Sequence, residues 1–341
     1  MIIKEAGIYS NDLLYLGFGG DTMKQEFMEA LEQDSLSGLV HIPKSDLHNH
    51  AGRGGNIRYV GRQIKAELAP PSVRFATLRE MGDWFSAHVK SHCPGLEGYL
   101  LRVKASFVQA AEDGVRVLAL NYGLDEIQAL GGVDPFIRTM KELHSRYSPE
   151  TVFLPELALD RGCNPDEVKG RFEEALASGW FHSVDICGDE LAQPAGRFKD
   201  LFRLARSYGA VLRAHTGEFG TAEEVLEAVE TLQLDEVHHG IAAAQSAYVM
   251  RRLADTGIRL HVCPTSNIML GRVESYGTHP IRRLYDHGVK VTINTDDLLI
   301  FDQTINQEYL NLYRSGLMTA EELNAIREEG LQPPKSVYAD N

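Results

Sequence analysis

A chain of 341 residues with 43% apolar side chains can bury a sizeable core, as one large α/β barrel or as two ordinary domains. Its 34 basic and 48 acidic residues leave a net charge of −14, which argues against a general nucleic-acid or membrane partner but not against a small anion held by a local arginine or lysine. The four cysteines form no Cys-x-x-Cys pair, against a zinc ribbon or redox motif, and no apolar run approaches the ~18 residues of a membrane span. Reduced thiols in a cytoplasmic protein are the expectation.

Met1 to Asp21 carries Lys4, Glu5 and Asp12 among its apolar residues and lacks the apolar stretch of a signal peptide. Asp21–Glu32 predicts an amphipathic helix with Met23, Phe27, Met28 and Leu31 on one side. Residues 1–41 therefore read as an N-terminal extension packed on the main domain, at a subunit contact if the protein is a homo-oligomer. Pro43-Lys44 introduces a first strand, Ser45–His50, followed by the glycine turn Gly52-Arg53-Gly54-Gly55. Residues 56–74 read as a loop or lid, interrupted by Pro70-Pro71.

From there helices and strands alternate. Helices are expected over Leu78–Lys90, Gly95–Asp113, Pro135–Tyr147, Pro165–Ser178, Gly196–Ser207, Ser246–Thr256 and Pro280–His287, and another opens at Thr221 with Glu224 in a capping-box pattern. Two more, Asn306–Ser315 and Ala320–Glu329, finish the chain. Strands are expected near residues 46, 117, 154, 185, 212, 237, 260 and 292, and Cys263-Pro264-Thr265-Ser266-Asn267 reads as a loop. Eight strands alternating with helices predict a parallel sheet closed into a (β/α)8 TIM barrel over residues 42–341. An open doubly wound sheet has no Gly-x-Gly-x-x-Gly turn to support it.

The chemistry-bearing residues cluster at the expected C-terminal strand ends. On an extended strand His48 and His50 share a face roughly 7 Å apart. With His215 after the fifth strand and Asp296 after the eighth, they supply the nitrogen and oxygen donors of an open catalytic zinc site. A divalent ion there would lower the pKa of bound water, and His239 is the natural base to take the proton. Glu218 could hand a proton to a substrate or cap the helix at Thr221. Each residue has a plainer reading taken singly: a hydrogen-bonded core histidine for His215, an N-cap for the Asp296-Asp297 pair. One of His238 and His239 should be structural.

These stretches resemble the adenosine deaminase family of the amidohydrolase superfamily. The similarity runs through Pro43 to His50, Gly188-Asp189-Glu190, His215-Thr216-Gly217-Glu218, His239-Gly240, Cys263 to Asn267 and Asn294-Thr295-Asp296-Asp297, in family order. The resemblance implies one Zn2+ per subunit on His48, His50, His215 and Asp296, with another divalent ion as an alternative. It implies His239 orienting and deprotonating the attacking water, Glu218 protonating ring N1 of a purine, Asp297 at N7 and the Gly188 N–H at N3. The implied reaction is hydrolytic deamination at C6 of adenosine, adenine or a related small aminopurine, in purine metabolism.

Three departures bear on the substrate. Nucleoside deaminases carry a sugar-holding acid two places after the second histidine, where this chain has Gly52. The second strand ends Leu120-Asn121-Tyr122 instead of offering Glu and Arg, and Leu298 replaces a frequent proline. A substituent other than plain ribose is expected, with Arg53 either meeting its phosphate or carboxylate or standing solvated in the turn. The alternatives are deamination of an N6-substituted aminopurine or a pterin, a histidinol-phosphatase-type phosphoesterase with several metals, and a non-catalytic nucleoside-binding barrel.

Overall fold

The computed structural model describes residues 20–333, so the first part of the expected extension and the last eight residues lie outside the description. Eight parallel strands run in sequence order: β1 Lys44–Asp46, β2 Val115–Gly123, β3 Val152–Asp160, β4 Ser183–Cys187, β5 Val211–Thr216, β6 Glu236–His239, β7 Arg259–Val262 and β8 Lys290–Ile293. The ring nearly closes: β8 meets β1 through a parallel bridge between Asn49 and Asp296, with the Asp296 N–H donating to the His48 carbonyl at 2.9 Å. This is the expected (β/α)8 barrel, and its strands fall at the predicted positions. Buried on both faces, they read as near-continuous apolar runs, such as Val115 to Leu120 in β2.

Most helices match their expected limits within a residue or two, including Asp21–Glu32 and the Thr221 capping box, where the Thr221 hydroxyl accepts from the Glu224 N–H. The first of these packs on the C-terminal helices: the Phe27 ring lies edge-on to Tyr309 at 5.4 Å, with the Arg327 guanidinium over Phe27. Among the described residues, no helix is long and apolar enough to cross a membrane.

Four local expectations fail, each for a physical reason. Strand β1 stops at Asp46 instead of His50, because side chains take over its backbone partners: Asn294 Oδ1 accepts the Leu47 N–H, and Asp46 receives Thr295 and Asn49. The glycines after it serve close packing more than flexibility. A Cβ on Gly54 would collide with the Asn49 side chain, and one on Gly55 with Ala105. Residues 56–74 are not all loop, since Asn56 caps a helix over Ile57–Ile64 by accepting from the Arg58 and Tyr59 N–H groups. Cys263 to Asn267 is likewise no loop: Pro264, favoured at a helix's first position, opens the helix Pro264–Met269. A short helix over Leu124–Ala129 was not foreseen.

The lower barrel interior is filled by charge. Arg213 on β5 binds Glu156 of β3 at 2.8 Å and Glu236 of β6 at 2.7 Å, and Arg259 of β7 donates to Glu236 at 2.8 Å. Strand register sets this layer, with Arg213 opposite Glu236 and Glu236 opposite Arg259. All four side chains are buried.

Candidate metal centre and active site

The upper end of the barrel brings the predicted residues together. His48 Nε2 lies 3.0 Å from His215 Nε2 and 3.6 Å from Asp296 Oδ1, and His50 Nε2 lies 3.3 Å from the same oxygen. The His48 and His50 rings, 5.7 Å apart, still share a face although they sit beyond the strand proper. His215 ends β5, and Asp296 follows β8 in the left-handed region at φ 59°. His239 ends β6 at φ 62°.

The surroundings orient these rings. His48 Nδ1 faces the His261 carbonyl at 3.4 Å and the Cys263 thiol at 3.3 Å, and His215 Nδ1 faces Asp185 at 2.9 Å. Both rings therefore aim Nε2 inward. The two Nε2 atoms at 3.0 Å are close enough to share a proton or to ligate one cation. Burial, followed by His238 for one ring and His50 for the other, lowers the pKa of His48 and brings His215 to about 3, so protonation is disfavoured. Burial also works against charging His50, but Asp297 and Asp296 carry its pKa upward. Asp296 is buried yet held well below the usual carboxylate range by His48 and His50. Three imidazole nitrogens and one carboxylate kept ionised, linked through His48 and Asp296, offer the donor types of a divalent ion of the zinc type.

Glu218, His239 and Asp297 surround this centre. Glu218 Oε2 is 3.6 Å from His239 Nε2, and its Oε1 is buried without a hydrogen-bond partner. The carboxyl pKa is raised well above normal by burial and then by Asp296 and Glu190. It does not cap the helix at Thr221, which its own hydroxyl and Glu224 cap. His239 Nδ1 lies 3.2 Å from Asn267 Nδ2, while Asn267 Oδ1 lies 3.2 Å from His279 Nε2, and His279 Nδ1 accepts the Ile281 N–H. That backbone donor fixes the chain of tautomers, so Asn267 donates to Nδ1 and neutral His239 carries its proton on Nε2.

Asp297 lies beside Asp296 and His50 and meets Arg53, whose Nε stands 3.0 Å from its Oδ1. Burial raises the Asp297 pKa to about 6 against the pull of Arg53. Arg53, about a third exposed, is thus paired with a buried carboxylate and not free in the turn. Gly188 follows β4 at φ 91°, beside Asp160. His238 is the structural member of its pair, with Nε2 2.9 Å from Glu156.

Sequence reasoning missed the residues that hold these groups. The Glu190 carboxylate accepts the N–H groups of Gly217, Glu218, Phe219 and Gly220 and so shapes the loop that carries Glu218. Asp185, also bound by Asn121 at 2.8 Å, aligns His215, and Ser266 donates to Asp296 Oδ2 at 2.6 Å. Glu190 and Ser266 lay inside recognised motifs, but Asp185 stood in a strand with no spacing signal.

Residues 167–337 match the family model described as adenosine deaminase. A protein of Treponema pallidum, provisionally named an adenosine/adenine deaminase, is 32% identical over 84% of this chain and 97% of its own length. The chain belongs to the adenosine deaminase family. It is accordingly a hydrolytic deaminase of the metal-dependent amidohydrolase type. Among solved structures, an adenine deaminase of Arthrobacter aurescens superposes with a TM-score of 0.73 at 21% identity, covering 84% of this chain and 92% of that one. An amidohydrolase of Burkholderia ambifaria with bound Zn superposes with a TM-score of 0.68 at 19% identity, covering 92% and 87%. Both share the fold.

Proposed function

We propose that this protein is a cytoplasmic zinc-dependent deaminase of adenosine, adenine or a close aminopurine relative, releasing ammonia from C6. The observation that carries the reading is His48 Nε2 standing beside both His215 Nε2 and Asp296 Oδ1, with His50 Nε2 on the same oxygen, next to a Glu218 carboxyl whose Oε1 is buried without a partner and whose pKa burial raises. His48, His50, His215 and Asp296 would hold the ion. When bound, Zn2+ supplies Lewis acidity that makes water nucleophilic near pH 7.

The chain's own residues then handle the ring and the protons. Glu218, its pKa raised by burial and by Asp296 and Glu190, donates to N1 as negative charge develops there. The resulting carboxylate accepts the proton of the attacking water, passes it to the departing ammonia, and is reprotonated by the C6 hydroxyl as the carbonyl forms. His239, with its proton on Nε2, orients that water as a donor, so the deprotonation expected of it passes to Glu218. Asp297, held in place by Arg53, would donate to N7 in its protonated form, and the Gly188 N–H would donate to N3.

Ammonia release across adenine, adenosine, AMP, N6-methyladenine and a pterin, with metal content measured in parallel, tests this reading. About one ion per chain and turnover of an aminopurine are expected. Phosphate release with near-threefold metal would favour the phosphoesterase, and a metal-loaded protein inert on every compound would leave only a binding barrel.

A further inference from the structure

A cavity of about 930 Å³ adjoins His50 and Arg53 at the barrel mouth, near the upper size of small-molecule sites. Residues of the helices Leu78–Phe85 and Gly95–Glu112 line one wall, and Ser86–Lys90 follows the first of them. There the Ser91 N–H reaches back five residues to the Ser86 carbonyl at 3.1 Å, a π turn of the kind that recurs at functional sites. The turn ends on Lys90, whose Nζ stands 5.3 Å from the centre of the Phe85 ring. The Arg102 guanidinium lies 5.6 Å from the same ring, and both cations line the cavity. Among the described residues neither has a carboxylate within ion-pair distance. Arg102 is buried and gives Nε and Nη1 to the Gly52 and Cys93 carbonyls at 3.1 and 3.0 Å, which leaves Nη2 without a hydrogen bond. The acids of the cavity are engaged or in solvent. Glu126 accepts the Gly123 N–H and the Tyr99 hydroxyl, Asp125 meets Arg171, Asp160 accepts the Gly162 N–H, and Asp83 is exposed.

Resting on the deaminase reading, we propose that Lys90 and Arg102, both set on Phe85, form an anion site in the cavity wall and take the carboxylate or phosphate end of an arm carried by the amino heterocycle. Two uncompensated like charges in a partly desolvated wall repel one another, and an anion between them removes that penalty. Burial, followed by Arg102 and Arg53, lowers the Lys90 pKa, as expected of a cation that has no counter-charge of its own. Lys90 meets the anion as a movable point charge, and Arg102, fixed by two carbonyls, offers Nη2. Arg53 does not take this role, because Asp297 already holds it.

The test compares kcat/KM for adenine and for three adenines whose N9 ethyl arm ends in a hydroxyl, a carboxylate or a phosphate, in metal-loaded wild type, Lys90→Met and Lys90→Arg. Wild type should prefer a charged arm to the hydroxyl by about tenfold or more, the worth of one charge-assisted hydrogen bond. Lys90→Met should erase most of that ratio, and Lys90→Arg should keep it within about threefold. The carboxylate and phosphate arms tell the two anion sources apart. A merely structural Lys90 would lower turnover of every compound together and leave the ratio alone. A hydroxyl arm preferred in wild type, a ratio unmoved by Lys90→Met, or turnover of adenine alone overturns the anion site and leaves the deaminase standing. If nothing releases ammonia, calorimetric binding of the three arm-bearing compounds gives the same ratio without chemistry. Absence of binding as well as turnover overturns both readings.

Discussion

His239 and Asp296 hold left-handed backbone, where a side chain costs about 1–2 kcal/mol that glycine avoids. That strain turns the ends of β6 and β8 inward, so His239 Nε2 and Asp296 Oδ2 stand 4.0 Å apart. His239→Gly should therefore be more stable than His239→Ala by about 1 kcal/mol in chemical denaturation, although both lose activity. Equal stabilities would mean that the backbone relaxes once the ring is gone. The histidines, Glu218 and Asp296 were legible because metal and proton chemistry draws on few residue types and the motifs kept them together. Asp185 and Glu156 were not, since an acid that supports a histidine 30 or 82 positions away looks like any other acid.

At the level of elements, Glu308 joins two helices. It lies in Ile305–Arg314 and accepts the Thr265 N–H at 3.2 Å in the first turn of Pro264–Met269, while its other oxygen is buried without a partner. Burial raises its pKa to about 8, above the ordinary ~4.3 of a glutamate. The folded state then binds the proton more tightly than the unfolded chain. The contribution is complete below about pH 4 and is lost as pH rises towards 8. Between pH 5 and 8 the wild type should lose stability relative to Glu308→Gln, read as converging and then crossing denaturation midpoints. A constant difference would show that Glu308 does not titrate in that window. Strands and long helices were legible through runs and periodicity. The short helices Ile57–Ile64, Leu124–Ala129 and Pro264–Met269 were not, because eight residues or fewer carry little periodic signal and each depends on a cap or a proline.

Across the whole molecule, the charged layer of Arg213, Glu156, Glu236 and Arg259 supports the histidines from below, through His238 on Glu156 and His261 3.5 Å from Glu236. Removing one member leaves its partners buried and unpaired, so Arg213→Met should cost about 3–5 kcal/mol in a denaturant titration. A loss below 1 kcal/mol would mean that water enters the layer. Metal removal should act on the fold as well as on turnover. An ion that binds only the assembled ring stabilises by mass action, so a chelator should lower Tm and restored Zn2+ should raise it again. An unchanged Tm would place the ion elsewhere or make its binding weak.

The seam between β8 and β1 has a temporal meaning. The donors on His48 and His50 are synthesised early, and Asp296 emerges only after almost the entire polypeptide. During translation the donor set stays incomplete until the two ends of the ring find each other. A cation held by these groups would then act as a clasp that recognises finished barrels, and truncated or misthreaded products would go without it.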